Sequence, residues 1–167
     1  MAAENSGPPE FTENLKRYTD LRQRVTAGIP ELKDRTDPAK IAAHEHSLAE
    51  AIRAARANAQ PGDIFSPGVK DHFVQIVRSE IRGPEGTSVK KSIMADNPKK
   101  PGEPAKVDLA VNASYPKDAP LATTPPTLLL RLPTLPEGLE YRFVGKALIL
   151  RDVNANLIVD FIFGVLP

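Results

Sequence analysis

The sequence predicts a single α+β domain, with three N-terminal helices packed on a C-terminal antiparallel sheet of four to five strands. Three observations carry that prediction. The stretch from Leu139 to Phe163 reads as a β-meander, with apolar runs separated by Gly145-Lys146 and by Asp152-Val153-Asn154-Ala155-Asn156. Its three runs begin roughly 8–10 residues apart, which is hairpin spacing. Residues before Gly83 instead repeat their apolar positions at helical intervals. Between the two regions lies a proline-dense centre, so the change from helix to strand is abrupt.

Residues 1–9 form a polar, proline-containing leader that the composition predicts to be disordered. The structured domain then spans 10–167, divided into a helical part (10–83), a proline- and lysine-rich connector (84–106) and a β part (107–167). The first helix is predicted over Glu10–Ala27. Phe11, Leu15, Tyr18, Leu21 and Val25 follow one another at helical steps, Gly28 stops the helix and Pro30 prevents its resumption. Asp37-Pro38 supplies an N-cap acid and a first-turn proline for the second helix. Ile41, Leu48, Ile52 and Ala55 are its apolar stripe, and the helix is expected to end near Asn58. Ser66-Pro67 repeats the start signal. Val69, Phe73, Ile76, Val77 and Ile81 give the third stripe, which Gly83-Pro84 closes. Short connections between such helices favour antiparallel packing.

In the connector, Val89, Ile93 and Met94 are short apolar punctuation that suits a small edge strand or an anchor. Val107, Leu109, Val111, Ala113 and Tyr115 alternate with Asp108, Ala110, Asn112 and Ser114, the period of a half-buried strand. Residues 116–126 read as a loop. Thr127–Leu132 is apolar on both faces and fits either a buried strand or a short helical turn. The final run, Leu157–Phe163, carries only Asp160 as a charge. An uncovered edge of that kind invites aggregation, so it is expected to be central, covered or part of an interface.

Composition narrows the function classes. The formal net charge is +1, and residues 1–60, 61–106 and 107–167 balance to 0, +2 and −1, so no segment is polarised towards nucleic acid. The lysine pairs Lys90-Lys91 and Lys99-Lys100 lack interleaved aromatics and read as a solubilising loop. Cysteine is absent, which removes disulfides, thiolate metal sites and cysteine nucleophiles. No run approaches the ~20 apolar residues of a membrane-spanning helix. The start, Met1-Ala2-Ala3-Glu4-Asn5-Ser6, resembles what remains of a cleaved export signal behind an added methionine. That reading places the protein in the periplasm or outside the cell. A plain cytoplasmic start is the alternative.

Reaction machinery is hard to find. His44-Glu45-His46 places its histidines two apart, about 200° around a helix, so their rings diverge. A metal site would need His72 to arrive from another helix, and a solvated helix face is the expectation. Asp108, Glu140, Asp152 and Asp160 are strand and turn acids that suit turn formation or solvent better than acid–base work. There is no nucleophile elbow, dinucleotide fingerprint or phosphate loop. No catalytic residue, cofactor or metal is therefore assigned. Asn112-Ala113-Ser114 matches a glycosylation pattern but falls on a predicted strand. Tyr141 and Phe143 share a strand face. Together with Phe161 and Phe163 they are candidates for an interaction surface, with core packing as the plainer reading.

Residues 133–163 contain a Tyr141-Arg142 pair, a β-turn, the run Leu148-Ile149-Leu150-Arg151-Asp152 and the closing Ile158-Val159-Asp160. This pattern, about a fifth of the chain, resembles the C-terminal hairpin of small bacterial envelope proteins. These include the periplasmic nickel/cobalt homeostasis family and uncharacterised relatives. The resemblance implies an envelope location, as of a bacterial exported protein, and transfers no metal function. The expected function is a non-enzymatic binding or accessory module acting on a protein or peptide. A small enzyme with an unfamiliar acid–base site and a periplasmic metal-handling protein are the alternatives.

Overall fold

A computed structural model describes residues 7–95, 108–117, 119 and 122–166, and structural statements concern these residues. Four helices open the chain: α1 (Pro9–Ala27), α2 (Pro38–Ala55), α3 (Pro67–Arg82) and α4 (Gly86–Ala95). They are followed by β1 (Ala122–Thr123), a single-turn α5 (Pro126–Leu129), β2 (Leu139–Val144), β3 (Ala147–Asp152) and β4 (Leu157–Ile162). Helices followed by an antiparallel sheet make the α+β class that the sequence predicts. No helix among the described residues is long and apolar enough to cross a membrane.

Each of the first three helices begins with proline in its first turn, where the missing N–H costs no hydrogen bond. Asp37 caps α2 by accepting the Ala39 N–H at 2.9 Å. Ser66 makes no such cap bond; its hydroxyl instead takes a long bond from Asn14 Nδ2 at 3.4 Å. The apolar stripes face inward as the periodicity requires. Phe11, Leu15 and Tyr18 of α1, Leu48 and Ile52 of α2, and Val69, Phe73 and Val77 of α3 are all buried. Phe73 lies edge-on to both Phe11 and Phe65, with centroids 5.0 and 5.1 Å away, and meets Tyr141 of the sheet at 5.6 Å.

The connector expected over 84–106 is corrected in its first half, where α4 forms. Val89 and Ile93 are four apart and both buried, so they are one helical face rather than an edge strand. Residues 96–107, with Pro98, Pro101 and Pro104 of the expected connector, lie outside the described residues. Gly86 makes the tight joint with α3 possible, because a Cβ there would run into the Ile81 carbonyl.

The sheet is a meander in the order β1-β2-β3-β4, antiparallel throughout. Its body is the three six-residue strands β2, β3 and β4, while β1 adds two residues at the edge. Gly145, at φ +58°, makes the two-residue turn between β2 and β3 in the conformation that such hairpins give to glycine. Leu150 pairs with Asp160 and Arg151 with Ile158, so Val159 is an extra residue that bulges β4.

One sheet face (Tyr141, Phe143, Leu148, Leu150 and Leu157) packs on the helices. The other face carries Ile149, Ile158 and Phe161, and it is covered by Leu109, Val111 and Tyr115. Here the expectation of a strand over 107–115 is corrected. Val107 is outside the described residues, and 108–115 forms turns with one isolated bridge, Ser114 to Leu157. The alternation was a true burial signal, but Asn112 adopts φ +66° and breaks the extended run. The same segment covers the outer edge of β4, with Asn112 N–H to Ile158 O at 2.8 Å and Ile158 N–H to Ala113 O at 2.9 Å. The apolar terminal strand is thus at the sheet edge and shielded there. Thr127–Leu132 resolves as the helical turn, in α5.

Candidate functional site

Polar side chains buried at the helix–sheet boundary organise the molecule. The bulge aims Asp160 at the α2–α3 loop. Its carboxylate is fully buried and accepts the N–H groups of Phe65 at 2.8 Å, Ile64 at 3.0 Å and Gly62 at 3.1 Å, together with that of Phe161 at 2.8 Å. Gly62 reaches it with φ +95°, a left-handed conformation that suits glycine. Asp152, equally buried at the end of β3, accepts from the Tyr18 hydroxyl at 2.7 Å and from Arg22 Nε at 2.6 Å. The Ala155 N–H, 3.1 Å away, completes its shell and closes the β3–β4 turn. Burial foremost, and then the Asp152 charge, push the Tyr18 hydroxyl far above its usual range, so Tyr18 remains a donor and is no general base at neutral pH.

Arg56, just past the end of α2, is 8% exposed. Its Nη1 donates to Asn112 Oδ1 at 2.9 Å, and both Nη atoms approach the Val159 carbonyl at 3.3 and 3.4 Å. Asn112 returns the contact by donating Nδ2 to Arg56 O at 2.9 Å. The Arg56 guanidinium also lies 5.0 Å from the Tyr18 ring centroid. Burial lowers its pKa, opposed by the nearby charges of Asp63 and Asp160. One turn earlier, Arg53 donates Nε to Asn112 O at 3.0 Å and also bonds Ser114 Oγ and Glu50. These two arginines pin the 108–115 segment to α2.

Two clefts flank this framework. The first opens between α1 and the end of α2 with a volume of about 350 Å³; its polar lining is Asn14, Arg17, Tyr18, Arg56, Asn58 and Asp63. The second, about 420 Å³, runs beside β2 and is mostly apolar, with Leu129, Pro133, Leu135, Leu139 and Tyr141 in its walls. Glu140 and Arg142 line it too. Arg142 and Arg151 both bond the Glu140 carboxylate, at 3.0 and 2.7 Å. Partial burial works against the Glu140 charge, but these hydrogen bonds prevail and hold its pKa below the usual value.

The sequence candidates are dispersed. His44 and His46 sit on α2 and His72 on α3, and His72 packs edge-on to Phe73 with centroids 6.2 Å apart. Among the described residues, no group of three or more histidine or acidic side chains is arranged to hold a metal ion. Tyr141 and Phe143 are buried on the helix-facing side of β2, although Tyr141 also reaches the second cleft and donates its hydroxyl to Pro133 O at 2.7 Å. Phe161 is buried on the opposite face. Phe163, 63% exposed, stacks edge-on against it at 5.0 Å. Asp152 and Asp160 are neither solvent-facing nor catalytic in arrangement, because each is consumed by structural donors. Arg56 and Asn14 gave no signal in the sequence, since neither belongs to an apolar stripe or a motif. Compared with known proteins, the chain matches no family model, no curated protein and no solved structure.

Proposed function

We propose that this protein is a binding module that receives an extended peptide segment of a partner protein in the apolar cleft beside β2. The observation that carries the reading is that cleft, where Leu129, half exposed, lines the same space as the buried Leu139 and Tyr141. The partner is an extended segment because of the neighbouring sheet edge. β1 pairs only with Arg142 and Phe143, so Leu139 and Glu140 have no strand partner on that side among the described residues. A cleft of about 420 Å³ accommodates a leucine- or phenylalanine-sized anchor, and Glu140 and Arg142 supply polar contacts at its rim. We place this activity in the bacterial envelope on the resemblance of residues 133–163.

The test is selection from a displayed library of random peptides, followed by affinity measurement with the wild type and with Leu129→Asp. Leu129 is exposed enough for the substitution to leave the fold intact. Enrichment of peptides with one large apolar anchor, and loss of their binding in the variant, is the expected result. An unenriched library, or peptides bound equally by the variant, would overturn the reading.

A further inference from the structure

Arg56 differs from the other arginines that the fold covers. Arg22 is bonded to Asp152, Arg53 to Glu50, and Arg142 and Arg151 to Glu140. Arg56 is buried more deeply than these, yet among the described residues it makes no ion pair within 4.0 Å. Its hydrogen bonds end on a neutral amide and a neutral carbonyl. A desolvated cation is costly unless paired, and neutral oxygens offset only part of that cost. Its Nε has no hydrogen-bond partner among the described residues. No buried side-chain nitrogen or oxygen among them lacks a partner, so this N–H is not sealed from solvent, and Arg56 lines the α1–α2 cleft.

The rest of the cleft fits the same ligand. Arg17 adds a second, exposed cation from α1. Asn14, 5% exposed, spends its Nδ2 on Ile64 O at 3.0 Å, while its Oδ1 has no hydrogen-bond partner among the described residues and so also opens to solvent. Leu21, Ala55, Ala59 and Ile64 give apolar walls. A volume of about 350 Å³ corresponds to about a dozen water molecules, the size of a metabolite and too small for a folded partner.

We propose that this cleft binds a small organic carboxylate, with the carboxylate on Arg56 and Arg17, the apolar body against Leu21 and Ala55, and Asn14 Oδ1 accepting from a donor on the ligand. A planar carboxylate matches the edge of a guanidinium. The apolar walls favour an organic acid over inorganic phosphate. Asp63, the remaining charge in the lining, already accepts the Gln60 N–H at 3.0 Å and repels a ligand of higher negative charge. This site is separate from the peptide cleft and stands or falls independently of it.

The experiment is an NMR titration of the full chain, observing backbone amides and arginine Nε–Hε groups. The probes are acetate, 4-methylvalerate, benzoate and phosphate, with chloride holding ionic strength constant. The expected result is saturable shifts of Arg56 Nε–Hε and of residues around Asn14, tighter for 4-methylvalerate or benzoate than for acetate. Arg17 is exposed, so Arg17→Gln leaves the thermal midpoint unchanged and is expected to weaken binding about tenfold. Arg56→Lys keeps the charge and is expected to bind more weakly through loss of the planar edge. Linear shifts that do not saturate, tighter binding of phosphate than of any carboxylate, or affinity unchanged in Arg17→Gln would each overturn the proposal.

Discussion

Replacing Asp160 with asparagine isolates the hydrogen bonds that join the last strand to the α2–α3 loop, because the two side chains have nearly the same shape. Oδ2 accepts from Ile64 and Phe65, while Oδ1 accepts from Phe161, and Gly62 is shared between them. An asparagine has one acceptor oxygen. If that oxygen replaces Oδ2, the new NH₂ faces the Phe161 N–H. In the other orientation it faces two N–H groups, those of Ile64 and Phe65. Either way at least one buried donor is orphaned, and the charge that strengthened the others is gone. An orphaned buried donor costs roughly 1–3 kcal/mol and a charge-assisted bond contributes roughly 1.5–3 kcal/mol, so a loss of about 3 kcal/mol is expected. In a chain of 167 residues that is a fall of roughly 6–12 °C in Tm. The chain has no tryptophan, so urea unfolding followed by far-ultraviolet circular dichroism is the suitable assay. A variant within about 0.5 kcal/mol of wild type, at unchanged denaturant slope, would refute the argument that this carboxylate organises the loop.

Three further outcomes follow from the same structure. Tyr18→Phe removes one of the donors to buried Asp152 while Arg22 and the Ala155 N–H remain, so unfolding should cost about 1–2 kcal/mol less, measured by urea titration. Gly86→Ala should destabilise by more than the gain of about 1 kcal/mol usual for such a helical replacement, because its methyl meets the Ile81 carbonyl. Hydrogen exchange should then show α4 opening while the sheet stays protected. Glu140 has a folded pKa below its usual 4.5, so its contribution is present above that pH and is lost as pH falls through the folded value. Stability profiles of wild type and Glu140→Gln should therefore differ near neutrality and converge in acid.

The helices and the meander were legible because both are written in periodicity. Phe11, Leu15 and Tyr18 can share a buried face only if the chain is helical, and Pro38 and Pro67 mark starts that few other structures tolerate. The segment around Asn112 was misread because burial on alternate sides does not require a ladder. Tyr115 is buried, and Leu109 and Val111 half-buried, by the sheet they cover, while the backbone turns at Asn112 under the grip of Arg53 and Arg56. α4 was missed because Val89 and Ile93 supply a single helical pair, too little periodicity to show against polar surroundings. The α1–α2 cleft left no trace in the sequence. Asn14 and Arg17 come from α1 and Arg56 from the end of α2, and they acquire meaning only through tertiary neighbours such as Val159 and Asn112.

The bonds from Tyr18 to Asp152 and from Phe65 to Asp160 span 134 and 95 residues. On the ribosome, the first three helices therefore emerge long before the strands that cover their apolar faces. Such non-local closure is slow, and a nascent chain waiting with its helices uncovered is a target for chaperones and a hazard for aggregation. A translational arrest or frameshift just before Leu157 would release the helices and the first strands without β4. That product would lack the strand carrying Asp160 and Ile162, and quality-control proteases would meet it as an unfolded chain.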